Sequence, residues 1–78
     1  MIVKVVKIRD VAIIKLDAAP CADVFIFRAE GRELEICGSS YVLDGEIEEF
    51  RRGLLLLGGV PYFVECDMGR CVAARAHV

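Results

Sequence analysis

The stretch "VFIFRAEGRELEIC", residues 24–37, does most to limit what this chain can fold into. On either side of Glu30–Gly31, Phe25 with Phe27 and Leu34 with Ile36 stand two places apart, the spacing of one strand face. A hairpin turn at Glu30–Gly31, whose glycine tolerates positive φ, sets Phe27 opposite Leu34, Phe25 opposite Ile36 and Arg28 opposite Glu33. One face then carries Phe25, Phe27, Leu34 and Ile36, and the other Arg28, Glu33 and Glu35. The pattern predicts an antiparallel hairpin.

Further strands flank it. "IVKVVKI" (2–8) and "VAIIKL" (11–16) are short and rich in β-branched residues. A hairpin between them would bring Lys4 against Lys15, an unfavourable like-charge pair, so the two strands are expected but their pairing is left open. "DAAPCAD" (17–23) carries loop punctuation. "VPYFVEC" and "CVAARA" read as strands joined by "DMGR", with Pro61 suiting an edge strand or a strand start.

One segment reads as a helix. In "DGEIEEFRRGLLLLGG", Asp44 is placed to cap, and Glu46, Glu48 and Glu49 lie near the positive end of the dipole. Leu43, Ile47, Phe50, Leu54 and Leu57 recur at helical spacing, and Gly58 suits a left-handed C-cap. The expectation is a single α+β domain over 1–78, ordered β-β-β-β-α-β-β, with a largely antiparallel β-sheet packed on one amphipathic helix.

Seventy-eight residues, 56% of them hydrophobic, are more apolar than so small a core can hide. Four successive leucines, Leu54 to Leu57, sweep most of the way round a helix. Leu54 and Leu57 belong to the buried stripe; Leu55 and Leu56 fall outside it and are expected to be covered by a second copy in a homodimer.

The four cysteines admit several readings. With Met68–Gly69 as turn centre, Cys66 faces Cys71 in a non-hydrogen-bonded position, where opposed side chains come closest. Cys21 lies just beyond the strand that the hairpin register sets against Cys37. Both couples are candidate disulfides, with buried free thiols, a metal site and redox chemistry as the alternatives. A zinc site would want two closely spaced pairs, and only one C-x₄-C is present; a redox motif would want C-x-x-C at a helix start.

Other chemistry finds little footing. The only histidine is His77, the serines are Ser39 and Ser40, and no acid–base constellation or cofactor motif assembles from the sequence, so the expected role is non-enzymatic and without a cofactor. "CGSSY" matches no phosphate-loop frame. The net charge of −2 argues against binding nucleic acid through global positive charge. A basic sheet face of Lys4, Lys7, Lys15 and Arg28, with Tyr41 or Tyr62 to stack bases, is the runner-up reading, a single-strand-binding module. No apolar run is long enough for a membrane span or a signal peptide, which sets a cytoplasmic expectation. Asn, Gln, Thr and Trp are all absent, a depletion that points to a hyperthermophilic source, where intracellular disulfides are at home. The leading expectation is a thermostable, disulfide-stapled module that self-associates or acts as an adaptor.

Overall fold

In the computed structural model, which describes residues 2–47 and 51–77, every regular element is a β-strand. The strands are β1 (Ile2–Val3), β2 (Val5–Ile8), β3 (Val11–Leu16), β4 (Val24–Ile36), β5 (Ser39–Ile47), β6 (Arg52–Leu57), β7 (Val60–Asp67) and β8 (Arg70–Arg75). They form one sheet in the order β1-β5-β4-β8-β7-β6-β3-β2. Because β1 and β2 are two halves of one N-terminal strand, this order curls the sheet into a nearly closed barrel. β1 pairs with β5 in parallel, while β2 pairs with β3 antiparallel.

The break between the halves falls at Lys4, and the register explains it. β2 and β3 pair from Ile8↔Val11 to Val5↔Ile14 about the turn at Arg9–Asp10. One step further would oppose Lys4 and Lys15, and there the chain leaves β3 and crosses to β5. The Val5 N–H, at the crossing, donates to Asp44 Oδ1 at 3.1 Å.

The α+β expectation is overturned. The predicted helix is replaced by β5 and β6, with Glu48, Glu49 and Phe50 outside the described residues. β6 lies between β3, to which it is parallel, and β7, to which it is antiparallel. A strand divides the four leucines by alternation: Leu55 and Leu57 are fully buried in the interior, and Leu54 and Leu56 are half-buried on the outside. Pairing with two neighbouring strands gives this segment backbone partners that a helix would have supplied locally. Gly58 does adopt positive φ, but in the two-residue turn Gly58–Gly59.

The predicted hairpin at Glu30–Gly31 is also corrected. Residues 24–36 form one bent strand, whose first part pairs with β8 (Phe27↔Cys71) and whose second part pairs with β5 (Leu34↔Tyr41). The core face was nevertheless assigned rightly, since Phe27, Leu34 and Ile36 are buried and Phe25 is half-buried. A hairpin turn and a bend with shifted register both switch the inward residues from odd to even numbers. The sequence pattern therefore fits either. The bend is forced by size: thirteen straight strand residues would span roughly 40 Å, whereas the molecule measures 28 × 25 × 20 Å. The actual hairpin turn comes later, at Cys37–Gly38, with both residues at positive φ (53° and 79°).

β7 and β8 conform to expectation. The turn is Met68–Gly69, both at positive φ, with Asp67 opposite Arg70 and Cys66 opposite Cys71. Pro61 stands near the start of β7, but β7 is an interior strand between β6 and β8, not an edge. Inside the barrel Tyr62 is the largest fully buried side chain; its ring meets that of Phe25 edge-on at 5.1 Å, and its hydroxyl donates to the Ala22 carbonyl at 2.7 Å. That bond helps hold the 17–23 loop across one end of the barrel. The Arg75 N–H donates to the Asp23 carbonyl (2.7 Å), and the Arg75 guanidinium lies 3.4 Å from the Asp23 carboxylate.

Candidate interaction surface

The cysteines fall into two couples at disulfide distance, Cys21–Cys37 and Cys66–Cys71, with Cα separations of 5.9 and 4.0 Å. Cys66 and Cys71 face each other across β7 and β8 as the turn geometry requires. Cys21 reaches Cys37 because β4 bends, and the couple ties the 17–23 loop to the β4–β5 turn. The two sites differ in access: Cys21 and Cys37 are exposed, whereas Cys71 is fully buried and Cys66 half-buried. Exchange needs a thiolate to reach a sulfur. With limiting reductant on folded protein, alkylation followed by peptide mapping is expected to label Cys21 and Cys37 first; earlier labelling at Cys66 and Cys71 would contradict the arrangement. Loop length adds a difference in stability, about 3 kcal/mol for a closure of sixteen residues and about 2 for one of five.

The residues of the runner-up basic face lie apart on the barrel. Lys15 is on β3 and Arg28 on β4, with β6, β7 and β8 between them. Their levels differ too, since Lys15 aligns with Leu56 and Pro61 while Arg28 aligns with Arg70 and Asp67. Lys4 sits at the strand break, and Lys7 is at the end of the barrel beside Arg9. Tyr62 is buried, so it offers no stacking face. "CGSSY" forms the β4–β5 turn and the start of β5. Among the described residues, no three His, Cys, Asp or Glu side chains converge as a metal site.

Leu55, named with Leu56 for self-association, has its side chain inside the barrel. The argument that put it on the surface needed a helix and does not carry over. The outer face of the sheet instead presents an apolar patch that the sequence reading did not name. On the three adjacent strands β4, β8 and β7, register sets Val24 beside Ala74 and Phe63 in one row, and Ile26 beside Val72 and Glu65 in the next. Val24 and Phe63 are each 64% exposed, with Ile26 and Val72 close behind. Leu54 continues the first row from β6, opposite Phe63. Fully exposed Met68 stands at the turn, and with Ile26 it lines a shallow hollow of about 270 Å³.

Single exposed apolar residues are ordinary; four large ones on adjoining strands are not. The surrounding charges are mixed, Arg28, Arg70 and Arg75 against Asp23, Glu30, Glu65 and Asp67, and two couples already pair, Arg28–Glu30 (3.6 Å) and Arg75–Asp23 (3.4 Å). The signal was visible in "VFIF", where four apolar residues run without alternation, so that both faces of the strand are greasy. Comparison with known proteins adds nothing to this surface: no family model, curated protein or solved structure gives a significant match to the chain.

Proposed function

We propose that the protein is a non-catalytic, self-associating barrel module whose partner is a second copy of this chain, packed through the outer face of β4, β8 and β7. The observation that carries this reading is the adjacency of Val24, Ile26, Phe63 and Val72, all exposed, on three neighbouring strands. A two-fold interface places one patch against itself, so apolar residues must meet apolar residues and the charges around them must suit their own kind. A rim of both signs is compatible with that condition, since arginines and carboxylates are both available to face each other across a two-fold axis; a rim of one sign would repel its copy. The two cysteine couples and the filled interior give this face a stiff support, which lowers the ordering cost of association.

Sedimentation over a wide range of protein concentration tests the reading. Native protein is expected to run as a dimer, and Phe63→Glu with Val72→Glu as a monomer whose thermal unfolding stays near that of a dissociated native chain. Both side chains are exposed, so the substitutions remove no core contacts of the single barrel. A native protein that stays monomeric up to high micromolar concentration overturns the reading.

A further inference from the structure

Four cations from two parts of the chain line one hollow at the end of the barrel near the β2–β3 turn. Lys7 is the last inward-pointing position of β2, opposite Ala12, where the interior opens to solvent. Arg9 is the first residue of the turn and is held at φ 58°. Arg51 is anchored by its backbone, its carbonyl accepting from the Cys66 N–H at 2.7 Å. Arg52 begins β6 opposite Glu65, yet its guanidinium turns to Asp10, 3.1 Å away. With Asp10 and Glu65 these residues line a cleft of about 710 Å³.

The charge is out of keeping with the rest of the molecule. Among the described residues, four cations line it against two carboxylates, in a chain of net charge −2. Among the described residues, Lys7, Arg9 and Arg51 make no ion pair, and only Arg52 is so engaged. Like charges gathered in one concavity repel unless an anion lies among them, and a cleft focuses their field on whatever enters. Guanidinium forks match the oxygens of phosphate, and several cations converging on one cleft favour a ligand with several charges close together.

We propose that this cleft binds a compact oligophosphate, such as the polyphosphate group of a nucleotide. A long nucleic-acid strand fits less well. Lys15 and Arg28 lie elsewhere on the barrel, and Glu65 and Asp67 stand on the side toward the apolar face, so no basic track continues from the cleft along that side. The site borders the self-association face at Glu65, but neither proposal depends on the other.

The test is calorimetric titration of the full chain with sodium tripolyphosphate at low and high salt. Saturable binding that weakens with salt is expected. Lys7→Gln with Arg51→Gln should weaken it at least tenfold. Arg9→Gly should also weaken it while leaving the fold sound, since glycine takes the positive φ that arginine is held in. Asp10→Asn removes a competing negative charge and should tighten binding. Absence of saturable binding, or binding unchanged by these cation substitutions, overturns the proposal. A single-stranded oligonucleotide that binds more tightly than tripolyphosphate through the same residues overturns the compact-ligand assignment.

Discussion

Shortening Leu55 to alanine is expected to cost the fold about 2–5 kcal/mol, and the same change at Leu56 about 1 kcal/mol. The contrast follows from strand alternation. Leu55 is fully buried, aligned with Ile14 on β3 and Tyr62 on β7, so truncation leaves a cavity among neighbours fixed on two sides. Leu56 is half-buried on the outer face, opposite Pro61, and its truncation gives up surface that is partly wet already. For a domain with about 5–10 kcal/mol of total stability, the first change uncovers much of the margin. Urea unfolding of the two variants measures the difference. A helix over the same residues would abolish it, because Leu55 and Leu56 would then both point away from the buried stripe. Equal costs at the two positions would contradict β6 as described.

Gly58→Ala is expected to destabilise by about 3–5 kcal/mol, well beyond the cost of Gly59→Ala. Both glycines sit at positive φ, 58° and 83°, so both substitutions carry the strain of a left-handed alanine. Only Gly58 also lacks room. A Cβ there would lie 2.6 Å from the Ala18 carbonyl oxygen, a backbone atom, whereas around Gly59 the space is open. The Gly58 N–H also donates to the Leu16 carbonyl at 2.9 Å, which holds the turn close to the start of the 17–23 loop. Relief would require the loop to move, and the loop is tied through Ala22, Asp23 and the Cys21–Cys37 couple. Thermal unfolding of the two alanine variants under non-reducing conditions checks the order; a Gly59 variant as damaged as the Gly58 variant would refute it.

The sequence made short-range structure legible where turn and alternation agreed. β7, β8, their turn and the Cys66–Cys71 alignment follow from "ECDMGRC" because two residues at positive φ fix a register without reference to anything distant. The strands 2–8 and 11–16 were legible for their β-branched residues, and their doubtful step, Lys4 against Lys15, is where pairing stops. Two failures have one origin, since both concern partners remote in sequence. A run of four leucines has no period of its own; the parallel neighbour β3 decides it, and nothing near Leu54 announces that neighbour. In the same way, Phe27 and Leu34 belong to one core face in either a hairpin or a bend, and only the pairings with Cys71 and Tyr41 distinguish them. The outer patch was missed for a related reason. Val24 and Ile26 fall on the face assigned to water by Arg28 and Glu33, and their clustering with Phe63 and Val72 arises only when three strands are laid side by side.

The N-terminal strand that clasps both sides of the barrel has a consequence for the order in which the molecule comes together. The two-residue turns close early, each joining residues a few places apart, so the segments 5–14, 34–41, 54–63 and 64–73 can zip locally. Ile2 and Val3 must wait for Val42 and Leu43, which leave the ribosome forty residues later. Loop closure over that distance is slow to be rewarded. Until it happens, β5 keeps one raw edge, and the clasp is the step that covers it. Weakening β1 should therefore lengthen the lifetime of an open, adhesive intermediate more than it alters the finished barrel, and its effect would be felt first as aggregation during refolding.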